Sequence, residues 1–368
     1  MLRRSLLVGA GVSALTGVSA ISWAARPAGA GAGPRLLAWL RLNERRSAEE
    51  WRRALGALRD AGIDEIVAQV FPSTHALYAS KLLPIKRAVL EDILPAARAH
   101  GLRVHAWMHA LRCNVPSVMR DHPEWYSVSR EGRSSLTHPP YTEHYRWLCP
   151  TRPEVRAFVG SVAAELANYS EVDGIHLDFI RHPDVFLPPR LAAKRGLEAV
   201  TTPLPRYDFC YCEVCRAGFR AAHGEDPATL ADAATNAVWE RYRLDRLTEV
   251  VAHIRGWTGC RTLSAAVFPT PALARRNVRQ DWSAWPLDAV MPMIYHRGYA
   301  QPLAWIEAAA REGVDALAGR IPLYAGLLLS SFPTRELPAA IRAATAGGAA
   351  GVTLFNLAAK HYPQLPGG

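Results

Sequence analysis

The chain has 368 residues, 49% of them hydrophobic and 21% charged, a globular balance that excludes disordered and fibrous classes. Its 43 Lys and Arg against 33 Asp and Glu leave a formal charge of +10, but the basic residues are mostly Arg spread over many predicted helices. Without a long basic run they read as a solvated surface, not as a nucleic-acid face.

The first elements concern export. Arg3 and Arg4 precede a Gly/Ala/Val/Leu stretch that runs to about Ala25, and Ala28-Gly29-Ala30 follows as an A-x-A-like cleavage site. Residues 1–30 are therefore expected to be a twin-arginine-like signal peptide, with 31–368 as one folded domain in the periplasm, cell envelope or medium. The alternative, an uncleaved anchor, is weakened by the glycines. No later stretch has the length and apolarity to span a bilayer, so no stable membrane insertion is expected after cleavage.

Strand and helix signals then alternate. Strands are predicted at Leu36–Arg41, Glu65–Phe71, Arg103–His109, Gly174–Ile180, Arg261–Phe268, Ala289–Tyr295, Pro322–Leu328 and Gly351–Asn356. Helices are predicted at 47–61 (Ser47 as cap, Glu50 at capping-box distance, Gly62 as stop), 90–100, 153–169, 228–257, 302–317 and 338–346. Eight buried-type strands alternating with helices imply an α/β fold with a parallel sheet, and eight repeats fit a closed (β/α)8 TIM barrel. The competing doubly wound sheet lacks its Gly-rich turn after the first strand. Long loops follow the third and fourth strands. Few residues remain after the eighth, so the last helix is expected to be short or missing.

A barrel places its active site where strands end. The strand-end residues are Arg41, Gln69, His109, Asp178, Arg181, Phe268, Tyr295, His296 and Asn356. Among them Asp178 interrupts an otherwise apolar run, and a buried carboxylate is costly unless paired or used. Arg181 stands three residues on as a potential partner.

The loop after the fourth strand carries Cys210-Tyr211-Cys212-Glu213-Val214-Cys215, a C-x-C-x-x-C spacing whose thiolates can converge on one tetrahedral ion. Cys149, in the other long loop, is the best fourth ligand. A closed four-cysteine zinc site would be structural and would pin the two loops together. Disulfides among these residues and free buried thiols are the alternatives. Cys113 and Cys260 read as buried single thiols, with a disulfide between them as the alternative.

Two resemblances attach to these residues. The stretches Pro123-Glu124-Trp125, Ser129-Arg130-Glu131-Gly132-Arg133, Leu148-Cys149-Pro150 and Cys210 to Arg220 resemble the zinc-site region of family 42 β-galactosidases. That likeness implies zinc on Cys149, Cys210, Cys212 and Cys215. Asp173 to Pro183, Gln280-Asp281-Trp282 with Trp285, and Met291 to Tyr295 are similar to the glycosyl-hydrolase-like family 10 of barrel glycosidases, which implies a carbohydrate substrate. The family 42 catalytic pattern is not followed. Its acid Glu would fall at Ile180, and the nucleophile Glu expected after the seventh strand is absent from Tyr324–Ser330.

Glycoside hydrolysis needs two carboxyl groups. Asp178 is the first candidate. Asp281 is the second, against a reading as the cap of a helix before Trp282. Asp184 is third, reading more simply as a loop acid. Gln69, His109, Arg181, Tyr295 and Asn356 are the expected substrate contacts. The leading function is an exported glycoside hydrolase acting on an extracellular or envelope glycan. A non-catalytic carbohydrate-binding barrel is the alternative that the missing second acid favours. A metal-dependent hydrolase would need His109, His176 and Asp178 to converge on an open site.

Overall fold

The protein is described here by a computed structural model covering residues 33–366. The expected signal segment lies outside the described residues.

The strands are β1 Arg35–Arg41, β2 Glu65–Phe71, β3 Arg103–His109, β4 Gly174–Asp178, β5 Thr262–Val267, β6 Ala289–Pro292, β7 Tyr324–Leu328 and β8 Gly351–Phe355. All pairs are parallel, in the order β6-β5-β4-β3-β2-β1-β8-β7. The ends β6 and β7 meet through the bridges Val290–Leu323 and Met293–Gly326, which close the barrel that the sequence predicts. The helices are α1 Ala48–Asp60, α2 Val89–Ala99, α3 Pro116–Asp121, α4 Pro153–Ala167, α5 Pro189–Ala193, α6 Glu213–His223, α7 Ala237–Thr258, α8 Pro271–Val278, α9 Trp305–Leu317 and α10 Leu337–Ala346.

Local chemistry explains these bounds. The Ser47 side chain accepts from the Glu50 N–H, and the Glu50 carboxylate accepts from the Ser47 N–H, so α1 starts with both orphan donors satisfied. The helix expected from 228 begins instead at Ala237. Before it, Asp226 accepts from the Ala228 N–H and Thr229 donates to the Asp226 carbonyl, which offers the backbone a turn in place of a helix. Asn236 then caps α7 through the Trp239 N–H. α8 has no sequence prediction; Thr270 caps it and Pro271 opens it. The missing last helix is a 3-10 turn, Ala359–Gln364.

Strand parity sets what faces the barrel interior. At the bottom, fully buried Glu65 pairs with Arg35, Arg103 and His105. Burial, helped by the Arg103 charge, pushes His105 down to about 3 and keeps it neutral. In the middle the Trp39 indole N–H donates to His176, whose other ring nitrogen meets Ser264. The top layer opens into the cavity described next. Helices and outward strand faces share one large apolar core that includes Cys113, and Cys149, Cys210, Cys212 and Cys215 sit in a separate apolar cluster with Phe219, Trp239 and Tyr242; Cys260, expected to be buried, is exposed where the chain turns after α7. Among the described residues no helix has the length and apolarity to cross a membrane.

Candidate active site and cysteine centre

A cavity of about 660 Å³ opens at the C-terminal ends of the strands. Arg41, Gln69, His109, Asp178, Arg181, Phe268 and Tyr295 all line it, so most of the strand-end residues converge. Its floor is aromatic: the Trp107 and Trp39 rings each lie edge-on to Phe355, at 6.2 and 6.1 Å.

Asp178 is the centre of the polar wall. β4 ends at this residue, two short of the predicted limit, because Phe179 turns into the left-handed region at φ 52°. That conformation is uncommon for a bulky residue and recurs where geometry serves a site. The Phe179 N–H donates to Asp178 Oδ1 at 2.7 Å and the Trp107 indole N–H to Oδ2 at 3.1 Å. His109 Nε2 lies 3.8 Å from Oδ2. The side chain is only 13% exposed. Burial raises its proton affinity; the Phe179 N–H, then Arg112 and Arg181, then the Trp107 N–H oppose this without cancelling it. The carboxyl is therefore easier to protonate than an ordinary aspartate.

The Gln69 amide meets His109 Nε2 at 3.0 Å. An amide nitrogen only donates, so this ring nitrogen accepts and the imidazole is neutral. Burial drives His109 well below its usual range, and Arg112 and Arg41 add to the effect. Tyr295 stacks roughly parallel to Phe355 with centroids 6.5 Å apart.

The second carboxylate on the lining is Asp184, not Asp281. Asp184 is buried and accepts from Arg181 Nη1 at 3.0 Å. The Arg181 guanidinium is walled by the rings of Trp147, Phe179 and Phe268 at 4.6, 5.3 and 5.2 Å. Asp281 does not line the cavity. It heads the 3-10 turn Trp282–Ala284 without a side-chain cap bond, and its carboxylate accepts from Arg241 at 2.9 Å and Arg275 at 2.8 Å. Burial raises its pKa, but those two arginines outweigh burial and hold it below the usual range. Asn356 also lies off the lining; it has φ 60°, is exposed, and its amide donates to Ser330 Oγ. Its neighbour Phe355 faces the cavity instead. His296 is buried beside Phe332.

Sequence reasoning missed Arg112, Phe179 and Phe355 and ranked Asp184 last. Parity along β8 could have found Phe355, since it alternates with Thr353. Arg112 and Asp184 sit in loops and carry no periodic signal. A neighbouring cavity of about 500 Å³ shares Tyr299 with the first and is lined by Tyr141, Tyr207 and Trp305.

The four cysteines converge. Cys149, Cys210, Cys212 and Cys215 are buried, their sulfurs lie within 4.8 Å of one another, and they could hold a metal ion. Cys149 Sγ is 3.4 Å from Cys215 Sγ and 3.6 Å from Cys212 Sγ, too far for a disulfide bond. The Val128 N–H donates to Cys210 Sγ at 3.3 Å, and Thr151 Oγ1 stands 3.1 Å from Cys215 Sγ. Among the described residues this is the one such cluster. His176, tied to Trp39 and Ser264 a layer below Asp178, does not join His109 and Asp178 in a second one.

The family model described as Glycosyl hydrolase-like 10 matches residues 15–342. Glycosyl hydrolase DigH of Escherichia coli (strain K12) is 29% identical over 148 residues, 34% of this chain and 32% of that protein. The match thus spans about a third of the curated relative. Among solved structures, alpha-L-fucosidase isoenzyme 2 from Paenibacillus thiaminolyticus superposes with a TM-score of 0.59 at 13% identity, covering 91% of this chain and 48% of that one. The β-galactosidase from Marinomonas ef1 gives 0.59 at 12% identity, covering 88% and 54%. The β-amylase catalytic domain from Paenibacillus polymyxa gives 0.57 at 12%, covering 87% and 91%. These likenesses establish the barrel fold.

Proposed function

The chain belongs to the glycosyl hydrolase-like 10 family, and from that premise we propose that it is an exported glycoside hydrolase acting on an extracellular or envelope oligo- or polysaccharide. Asp178 is its acid–base group. The observation that carries this reading is a raised, largely buried carboxyl at the end of β4, inside a cavity walled by aromatic rings and hydrogen-bonding groups. A proton donor to a glycosidic oxygen must hold its proton near neutral pH, and burial is how a protein arranges that. The Phe179 and Trp107 N–H groups orient the carboxyl, and neutral His109, held by Gln69, lines the cavity without adding charge. Tyr295, Trp107 and Phe355 offer ring faces for the apolar side of a pyranose.

Asp184 supplies the second carboxylate that the reaction calls for. Its pairing with Arg181 also favours a second reading, a carbohydrate-binding barrel without catalysis, because a carboxylate committed to a guanidinium is a weak nucleophile or base. Export rests on the Arg3-Arg4 signal pattern.

The metal we assign to the cysteines is zinc, in a structural role. Four thiolates at about 2.3 Å from a tetrahedral ion stand roughly 3.8 Å apart, close to the sulfur separations found. Four protein ligands leave no open position for substrate, so the ion's contribution is to join the loop after β3 to the loop after β4.

The test is hydrolysis of a panel of bacterial and plant glycans by the mature, metal-loaded protein beside Asp178→Asn. Cleavage by wild type with a loss of about a hundredfold or more in the variant is expected, the scale of acid–base catalysis. Equal activity of the two would remove Asp178 from the chemistry. Glycan binding without cleavage by either would leave the binding-barrel reading.

A further inference from the structure

We propose that the cleft is built for a glycan bearing acidic groups, and that Arg41 and Arg112 form the clamp that reads them. The inference rests on the glycosidase reading above and adds the charge of the substrate.

The lining carries five cationic side chains, Arg41, Arg112, Arg181, Arg190 and Lys194, against the carboxylates Asp178 and Asp184. Arg181 is committed to Asp184. The other four form no ion pair among the described residues. Sugar hydroxyls can be satisfied by amides, carboxylates and neutral imidazole as well as by cations, but a neutral glycan cannot offset the repulsion within a cluster of like charges. Those charges repel one another in a partly desolvated cleft, and a bound anion reverses that cost.

Two of the four are preorganised. The Arg112 guanidinium lies 4.3 Å over the Phe179 ring, donates weakly to Ser73 Oγ at 3.3 Å, and keeps its Nε buried without a partner. The Arg41 guanidinium lies 4.8 Å over the Phe355 ring at the end of β1. A guanidinium held over an aromatic ring has less rotamer freedom left to lose and still has donors for a planar or tetrahedral anion. Register aligns Arg41 with Gln69 and His109 with Asp178, so a polar row crosses the rim from β1 to β4. Arg41 makes one end of that row cationic, Arg112 follows β3 beside it, and both charges bear on His109 between them. The acidic group of the ligand is thus seated on the β1–β3 side of the rim, where Arg112 also bears on the Asp178 carboxyl.

Binding of the full-length mature, metal-loaded chain is measured by calorimetry for an oligogalacturonate, its uncharged methyl ester and a sulfated galactose oligomer. Each is run at about 50 mM and about 500 mM salt, which separates screened from unscreened attraction. At least one acidic probe is expected to bind about tenfold or more tightly than the ester, as charge-assisted recognition implies, with the advantage shrinking at high salt. Which acidic probe wins identifies the anion as carboxylate or sulfate. Arg41→Gln and Arg112→Gln are each expected to erase most of that advantage and to leave ester binding within about twofold. Arg41 is exposed, so its variant keeps the test decisive if Arg112→Gln fails to fold. Equal affinity for acid and ester, an acidic preference untouched by Arg41→Gln, or no binding of any acidic probe would overturn the clamp. Cleavage of a neutral glycan without acidic preference removes the clamp and leaves the hydrolase; no binding and no cleavage across both panels removes both.

Discussion

At Asp178 a single charge stands inside an apolar strand run, which is costly unless the carboxyl is paired, used or protonated. The raised pKa of Asp178 has a consequence for stability as well as for chemistry. The folded chain retains a proton that an ordinary aspartate, near 3.9, has released, so the folded state binds more protons than the unfolded one. The contribution of this group to stability is full below the ordinary aspartate range and is lost as pH rises through the raised folded value. Wild type is therefore expected to lose more thermal stability than Asp178→Asn as pH rises above the ordinary aspartate value of about 3.9, other groups cancelling in the comparison. Activity should fall on the alkaline side as the acid deprotonates. Parallel melting-temperature profiles for the two proteins would show that the carboxyl titrates as it does in water. Asp178 is legible in the sequence because its charge interrupts an apolar run. Arg112 and Asp184 are not, because loop positions have no period from which to read a direction; only the fold brings them to the cavity. Asn356 illustrates the cost of one residue of parity: β8 aims Phe355 inward, and the next residue turns away at φ 60°.

At the scale of elements, α1 and the first three strands could be read almost residue by residue, since capping box, stop glycine and buried runs agree there. The loop after β4 could not. The Asp226 turn replaces helix that hydrophobic pattern alone would allow, and residues 179–236 are tied to distant parts of the chain, as where Arg243 donates to Asp208 and the Tyr141 hydroxyl to the Asp184 carbonyl. Its main tie is the cysteine centre, where Cys149 from one long loop meets Cys210, Cys212 and Cys215 from the other. If zinc occupies that centre, its removal unties both loops while leaving the barrel ladder intact. A strong chelator at neutral pH is then expected to lower the melting temperature by about 10 °C, several kcal/mol at roughly 2–4 °C each. Limited proteolysis should cut first within 179–236, and Cys212→Ser should reproduce both effects. Elemental analysis finding no stoichiometric metal in protein whose melting a chelator leaves unchanged would reject the assignment.

The whole barrel depends on one seam. Seven of its strand pairs run as ladders, that of β2 and β3 with a register shift between Gln69 and Phe71, whereas β6 and β7 are joined by isolated bridges and the Val290 N–H to Pro322 bond. Alternating strand signals announced eight strands, but nothing in them told how the last two edges would meet, because closure depends on backbone approach. Gly326 provides that approach. A Cβ placed there would stand 2.6 Å from the Trp39 ring and 2.8 Å from the Pro292 carbonyl oxygen, so a methyl group must displace β6 backbone or the indole that holds His176. Gly326→Ala is expected to cost about 1–3 kcal/mol, the usual penalty of overpacking, with faster hydrogen exchange at the Val290 amide. Gly256, exposed within α7 with open space where its Cβ would go, is the matched control. There the same substitution should stabilise by up to about 1 kcal/mol through helix propensity. Urea unfolding of the two variants beside wild type gives both signs in one experiment. A Gly326→Ala protein as stable as wild type, with unchanged exchange at Val290, would mean that the seam yields without strain and that closure of the barrel does not depend on this glycine.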